Sequence, residues 1–173
     1  WNGEYVFFWA DTFLAWTLAE LEEFCEMYSE FQIPFWCQSR TETISDAVGG
    51  YKKLKLLKDV GLHHMSFGME HGNEKFRREV VGRDYTNEDA IAALKNPAKL
   101  DIPFTINNII GFPDETRELA MDTVEVNRKI NSFNLSCSTF APFKGTDLRT
   151  LAEKRGYVDP ELISPPNSHM TTL

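Results

Sequence analysis

Five short groups of residues along the chain carry side chains that can bind a charged organic ligand. Each group directly follows an apolar segment, and the groups are Asp11-Thr12-Phe13, Gln38-Ser39-Arg40, Glu70-His71-Gly72, Gly111-Phe112-Pro113 and Phe140-Ala141-Pro142. Together they supply two carboxylates, a guanidinium, an amide and a hydroxyl, and the glycine at 111 allows a ligand to approach the backbone closely. This combination predicts a site for a zwitterionic ligand that carries a ribose.

Parts of this set have simpler interpretations. Asp11 and Arg40 can neutralise each other at a solvated surface, because structural ion pairs use the same residue types as binding sites. In an unrelated barrel enzyme, Asp11 and Glu70 can act as a general acid and a general base. Both interpretations remain open at this point.

Two other kinds of site are disfavoured. The turn at residues 111–113 leads into a predicted helix N-terminus, but Asp114 and Glu115 already occupy that positive end and would repel a phosphate. His63 and His64 are adjacent on a predicted strand and therefore point to opposite faces, so they cannot easily bind one metal ion. The three cysteines form no closely spaced pair that could hold zinc or an iron-sulfur cluster, and they are Cys25, Cys37 and Cys137. We expect the first two to be buried core residues.

Strands and helices must bring the five groups of residues together. Apolar segments predict strands at residues 5–11, 33–40, 63–70, 102–111 and 133–142, with helical periodicities between them. The predicted helix N-caps are Ser45 or Asp46, then Thr86, then Asp114 or Thr116. Pro97 should end or kink the helix that Thr86 starts.

Strands that alternate with helices predict a parallel α/β sheet. In the third predicted strand, small or polar residues share one face, and Met65, Phe67 and Met69 share the other. A doubly wound sheet would bury both faces more evenly, so this pattern favours a barrel or half-barrel around a hydrated site. A complete eightfold barrel needs about 250 residues, so the chain can supply only part of one, with about five strand-helix units. The carboxyl ends of its strands would then gather the five groups at one edge.

Composition limits the classes of partner. The chain has 173 residues, with 18 Lys and Arg against 26 Asp and Glu, and a formal charge of -8. This charge argues against binding to nucleic acid or to an anionic membrane. No apolar run approaches the length of a membrane span, and no signal peptide opens the chain. We expect a cytoplasmic protein, and the first residue, Trp1, suggests that the chain is cut from a longer one.

Four strings of residues bear a family likeness in this order: WADTF at 9–13, HMSFGMEHG at 64–72, IIGFPDET at 109–116 and PFKGT at 142–146. They resemble the radical S-adenosylmethionine enzymes, above all the cobalamin-associated subgroup. The likeness covers about residues 4–158. Each string alone is unspecific, whereas the four together in this order and spacing are specific for the superfamily.

The resemblance implies a partial (β/α)6 barrel in which residues 1–158 form strands two to six and residues 159–173 form a tail or linker. In this family a CxxxCxxC loop after the first strand holds a 4Fe-4S cluster, which reduces S-adenosylmethionine to a 5'-deoxyadenosyl radical. No CxxxCxxC occurs in the chain. The resemblance therefore implies that the cluster loop lies upstream, that the chain alone is inactive, and that any cobalamin is carried by another domain.

The resemblance also implies roles for individual residues in binding S-adenosylmethionine. Asp11 matches the position that binds the methionine amino group, although the usual Gly-Gly-Glu is absent. Arg40 and Glu70 match positions that face the methionine carboxylate and the ribose. The positions that match contacts to adenine are Gly111, Phe112, Pro113, Phe140 and Pro142, and Ser39 and Asn107 are weaker additions. No residue is assigned to a metal or to catalysis.

The expected function is thus radical-based group transfer or rearrangement by a longer enzyme. Methyl transfer, ring rearrangement and methylthiolation all remain open, and so does the substrate, whether a small molecule or a macromolecule. The alternative is a barrel module without a cluster that binds a nucleoside or a protein partner and does not catalyse. Exposed edge strands of an opened barrel also allow self-association.

Overall fold

One parallel sheet organises the chain. The computed structural model describes residues 3–162, in which the strands are β1 (Val6–Phe8), β2 (Phe35–Arg40), β3 (Leu62–Glu70), β4 (Phe104–Ile110) and β5 (Asn134–Thr139). The strands are neighbours in chain order, and every neighbouring pair is parallel. This arrangement confirms the predicted α/β fold, that of a partial barrel. The first and last strands are shorter than expected, so residues 9–11 and 140–142 lie in loops.

Helices connect the strands. They are α1 (Leu18–Tyr28), α2 (Gly50–Asp59), α3 (Glu74–Phe76), α4 (Asn87–Ala93), α5 (Lys95–Lys99), α6 (Arg117–Asn127) and α7 (Asp147–Lys154). A π-helical turn, Arg77–Val81, follows α3 directly. Among the residues that the structure describes, no helix is long and apolar enough to cross a membrane.

Two of the predicted helix caps are present. The Thr86 side chain accepts a hydrogen bond from the backbone N–H of Asp89, and the Thr116 side chain accepts one from Leu119. The helix that Thr86 starts ends at Ala93, and Pro97 lies in the first turn of the next one. There its missing N–H removes no hydrogen bond of the helix, which explains why the helical path breaks before it.

The predicted start of α2 is wrong. Ser45 lies between two short 3-10 turns, Asp46 starts the second of them, and the helix begins only at Gly50. The cause is a close approach of backbone to backbone, because a Cβ at Gly50 would lie 2.0 Å from the carbonyl oxygen of Ile44. The chain uses this contact to turn before the helix starts, so the capping residues at 45 and 46 lie too early.

The core lies between the helices and one face of the sheet. Alternate strand residues contribute to it, among them Phe35, Cys37, Met65, Phe67, Phe104 and Ile106. Helix residues such as Leu21 and Leu54 pack against them without any exposure. Cys25 and Cys37 are buried in this cluster, as expected for small apolar side chains. On the other face, Phe7 and Trp36 stack near the starts of their strands, and small and polar residues lie towards the carboxyl ends.

Candidate ligand-binding site

A polar cavity of about 510 Å³ lies at the carboxyl ends of the strands. The residues that line it are Asp11, Gln38, Ser39, Arg40, Gly68, Glu70, Arg83, Asn107, Asn108, Ile109, Ser136 and Ser138. The sheet register explains this set, because Arg40, Gly68, Asn107 and Ser136 are paired across four successive strands. Small side chains on that row leave room for a ligand, and the charged ones lie at its rim.

Glu70 is the central acidic residue of this cavity. Its backbone has a φ of 68°, and the pairing of β3 with β4 shifts between Gly68 and Glu70. Its carboxylate lies over Gly68, where a Cβ would be 2.4 Å from Oε1. A non-glycine residue in the left-handed region stores backbone strain, and such strain concentrates at functional sites. The bulge and the missing side chain at 68 together direct this carboxylate into the cavity.

The electrostatics of the cavity combine both signs of charge. Oε1 of Glu70 lies 3.3 Å from Nη2 of Arg83, and a second guanidinium nitrogen of Arg83 lies 3.4 Å from Glu42. Burial raises the pKa of Glu70, and this effect outweighs the lowering by Arg83 and Arg40. A ligand donor that bonds to this carboxylate would therefore relieve part of the cost of its burial.

Sequence reasoning missed Arg83. This residue follows the π-helical turn Arg77–Val81 and Gly82, which has a φ of 74° and ends that turn. Both features bend the chain back towards the sheet, so that Arg83 lies in the cavity although it comes after the third predicted strand end. The glycine at 82 was the one signal in the sequence, since glycine commonly ends helical turns in this conformation.

A second cavity, of about 600 Å³, adjoins the polar one and is largely apolar. The two share Glu70, Arg83, Ile109 and Ser138. The rest of its lining comes from Val81, Phe112, Thr139, Phe140, Ala141, Phe143, Thr146 and Leu148. Two buried residues of this lining, Phe112 and Phe140, have ring centroids 5.3 Å apart. The site thus has a charged end and an aromatic end that meet at Glu70.

The structure brings together seven of the ten residues expected to bind the ligand. Asp11, Ser39, Arg40, Glu70 and Asn107 line the polar cavity, and Glu70, Phe112 and Phe140 line the apolar one. The other three, Gly111, Pro113 and Pro142, line neither cavity.

Three of the polar residues in the first cavity differ in whether they already have a partner within the protein. Within the described residues, Asp11 and Arg40 form no ion pair with each other, so they do not neutralise each other. The Ser39 hydroxyl accepts a hydrogen bond from the backbone N–H of Leu14 at 3.1 Å. Ser39 therefore fixes the segment after Asp11, while Asp11 and Arg40 are available to a ligand.

The turn at residues 111–113 is organised by an acidic side chain from its own loop. Glu115 accepts hydrogen bonds from the backbone N–H groups of Gly111 and Phe112, the second at 3.1 Å. Asp114 instead forms an ion pair with Arg155 at 2.9 Å. Glu115 thus accepts from two backbone donors of this turn.

A family model described as the radical SAM superfamily matches residues 2–126. The chain belongs to this superfamily. An uncharacterized methyltransferase of Pyrococcus horikoshii is 30% identical over 116 residues, which cover 67% of this chain and 24% of the relative. The chain thus spans about a quarter of the length of that relative.

Solved structures of radical SAM enzymes share the fold. Coproporphyrinogen III oxidase from Escherichia coli matches with a TM-score of 0.70 at 19% identity, over 95% of this chain and 37% of that one. A radical S-adenosylmethionine methyltransferase from Kitasatospora setae, with cobalamin and a 4Fe-4S cluster bound, matches with a TM-score of 0.56 at 14% identity. That match covers 70% of this chain and 25% of the other. The predicted superfamily and partial barrel are therefore confirmed.

The described residues of this chain do not fit an iron-sulfur cluster. Cys25 and Cys37 are buried apart in the core, and Cys137 is exposed. In the described part of the chain, no three His, Cys, Asp or Glu side chains lie close enough to hold a metal ion. His64 bonds to Thr105 at 3.0 Å and His63 to Tyr5 at 3.2 Å, so each histidine has a separate partner.

Proposed function

We propose that the chain is the S-adenosylmethionine-binding part of a longer radical SAM enzyme that carries out group transfer, either of a methyl group or of a methylthio group. The observation that carries this proposal is the two-part cavity, in which a charged end and an aromatic end meet at Glu70. S-adenosylmethionine has the same division, with a zwitterionic amino acid at one end, a ribose in the middle and a purine at the other.

Each part of that molecule has residues of matching chemistry. At the charged end, Asp11 can accept from the ammonium group, and Arg40 can donate to the carboxylate through a planar fork of N–H groups. The Glu70 carboxylate can accept from ribose hydroxyls, which would add to its contact with Arg83 and offset more of the cost of its burial. Phe112 and Phe140 offer apolar faces for the purine.

The proposal assigns the iron-sulfur cluster to a segment outside these 173 residues. That cluster would supply one electron to bound S-adenosylmethionine, whose C5'–S bond would break to give methionine and a 5'-deoxyadenosyl radical that abstracts hydrogen from a substrate. The residues of this chain bind and orient the molecule, and they exclude water from its apolar end. Cobalamin would likewise have to be held by another domain, and the Kitasatospora setae neighbour supports including it in a test.

Calorimetric titration of this chain with S-adenosylhomocysteine tests the binding proposal. We expect wild-type binding, and we expect Asp11→Ala and Glu70→Ala each to weaken it by about tenfold or more, because each removes a charged hydrogen-bond partner. Met121→Ala is the matched control, since this side chain is exposed on α6 away from the cavity. The absence of wild-type binding, or binding that survives both cavity substitutions, would overturn the proposal.

Anaerobic reconstitution of the full-length polypeptide separates the enzyme from the alternative, a barrel module without a cluster. Iron-sulfur absorbance together with cleavage of S-adenosylmethionine supports the enzyme. If the full-length protein binds the nucleoside but never takes up iron, the binding module is the correct interpretation. Added cobalamin should raise methyl transfer only if a second domain carries it.

A further inference from the structure

A buried histidine and a buried glutamate connect the ends of β3 and β4. His71 follows Glu70 directly, and its Nε2 lies 2.9 Å from Oε1 of Glu115, which belongs to the loop after β4. Neither side chain is exposed to solvent. Two strand ends that face the ligand cavities from different sides are thus joined by one contact between side chains.

The hydrogen bonds around His71 fix its tautomer. The backbone N–H of Asn73 donates to Nδ1 at 3.0 Å, so Nδ1 carries no proton. The proton of the neutral imidazole is therefore on Nε2, from which it is donated to Glu115. The carboxylate of Glu115 accepts three hydrogen bonds in all, because Gly111 and Phe112 also donate to it. A buried carboxylate with three donors is held in one position.

The loop that carries His71 is itself fixed to the rest of the protein. Arg77 donates to the carbonyl oxygen of His71 at 2.7 Å, and the N–H of Gly72 donates to Thr123 of α6 at 2.9 Å. Gly72 lies so close to α6 that a Cβ would be 2.3 Å from the carbonyl oxygen of Asp122. His71 is therefore a fixed point against which the loop after β4 can be held.

Phe112 is the residue whose position depends on this contact. Its ring forms the wall of the apolar cavity, and its backbone N–H bonds to Glu115. Pro113 has no N–H, and Gly111 and Phe112 already donate theirs to Glu115, so the turn contributes to the cavity mainly through the Phe112 ring. If the contact to His71 were lost, Glu115 and the turn could shift as one unit away from Phe140.

We propose that His71 and Glu115 are positioning residues that hold the Phe112 wall relative to Glu70 and thereby set the affinity for the purine end of the ligand. This inference rests on the proposed function, because it takes the apolar cavity as the purine site. Neither residue touches the ligand in this account. Their effect is expected on the purine end and not on the amino acid end.

Two amide substitutions, which differ by one methylene group, separate the donor at Nε2 from the rest of the side chain. His71→Gln places an amide nitrogen near the position of Nε2, so it can still donate to Glu115. His71→Asn reaches only as far as Nδ1 and loses that donor. Asn96→Ala is a control, because it removes a buried hydrogen-bonding side chain that contacts Ile44 and Asp46, away from the pair and from both cavities.

The test compares S-adenosylhomocysteine with 5'-methylthioadenosine, which lacks the amino acid, by calorimetry on this chain. We expect His71→Asn to weaken both probes by the same factor of about tenfold, the usual effect of one lost charge-assisted hydrogen bond. We expect His71→Gln to remain within about threefold of wild type on the same grounds, and Asn96→Ala to lower the melting temperature without changing either affinity. Equal affinities for the Asn and Gln variants, or a loss confined to S-adenosylhomocysteine, would overturn the inference.

Hydrogen exchange distinguishes a failure of this inference from a failure of the proposed function. If the wild type binds neither probe, the proposed function fails, and the contact is then tested without a ligand. His71→Asn should speed exchange of the Gly111 and Phe112 amides, relative to His71→Gln, by about tenfold or more, since opening costs less once the donor is gone. Unchanged exchange at both amides would refute the positioning role.

Discussion

The two faces of strand β3 have different roles in this protein. On the outer face of β3, Met65, Phe67 and Met69 have no solvent exposure, and they pack in the core with the helices. On the inner face, Gly68 and Glu70 line the polar cavity. Because successive side chains of a strand point to opposite sides, a shift of one residue would exchange the two sets. Stability and binding are therefore encoded by alternate residues of the same segment.

The two faces also make opposite contributions to the stability of the fold. Burial of hydrocarbon on the outer face stabilises the fold. On the inner face, Glu70 has a left-handed backbone and a carboxyl whose pKa is raised by burial, and both features cost stability. These features of the inner face make the free protein less stable, and a bound ligand can recover part of that stability. Three substitutions test this division, in order of expected effect.

Phe67→Ala should produce the largest change. This side chain has no exposure and lies at the centre of the outer face, so its truncation is expected to lower the free energy of unfolding by about 3–5 kcal/mol. Urea unfolding measures the loss. Below the unfolding transition, the remaining folded protein should bind S-adenosylhomocysteine with wild-type affinity. A weaker affinity in the folded fraction would show that the two faces are coupled.

Arg40→Ala should weaken ligand binding and leave stability almost unchanged, which is the reverse of the effect of Phe67→Ala. Arg40 is exposed at the rim of the cavity, where its loss should change the free energy of unfolding by less than about 0.5 kcal/mol. The affinity for S-adenosylhomocysteine should fall by about 10- to 100-fold, because a charged partner of the ligand carboxylate is lost. The affinity for 5'-methylthioadenosine should not change. An equal loss for both probes would contradict the placement of the carboxylate at Arg40.

Glu70→Gln should have a smaller effect that depends on pH. Since burial raises the pKa of Glu70 in the folded protein, the folded state holds this proton more tightly than the unfolded chain does. The contribution of Glu70 to stability is then complete below the ordinary glutamate pKa and is lost as the pH rises through the raised value. The neutral Gln variant should therefore melt at a higher temperature than wild type at neutral pH.

The same variant should match the wild type below about pH 4, where both side chains are uncharged. Thermal melts across this pH range measure the difference between the two proteins. A variant that is less stable than wild type at neutral pH would show that the ion pair with Arg83 outweighs the cost of burial.

Much of this arrangement could be predicted from the sequence, because it depends on local patterns. The alternation of strand segments with helical segments predicted the parallel sheet, and Thr86 and Thr116 cap their helices as expected. The family likeness placed Arg40 and Glu70 at strand ends that the structure brings to one cavity. These features follow from the period of a strand and from hydrogen bonds between near neighbours.

The features that sequence reasoning missed depend on contacts between distant segments. Arg83 lies in the cavity because a π-helical turn redirects the chain, and no hydrophobic periodicity in the sequence predicts such a turn. Glu115 was taken as an acidic residue of a helix start, whereas its carboxylate is buried against His71, 44 residues earlier. Helix α2 starts at Gly50, later than expected, because the backbone at Gly50 lies close to the backbone of Ile44. Each of these depends on the folded path rather than on local preference.

The close approach of Gly72 to α6 has a consequence for natural variation in this protein. Any side chain at position 72 would meet the backbone of Asp122 and Thr123 at less than 2.6 Å, so β3 and α6 would have to move apart. The moved segment carries Glu70, two residues earlier in the chain. A variant at Gly72 would therefore show a folding defect and a binding defect in the same molecule, whereas variants on either face of β3 would show one without the other.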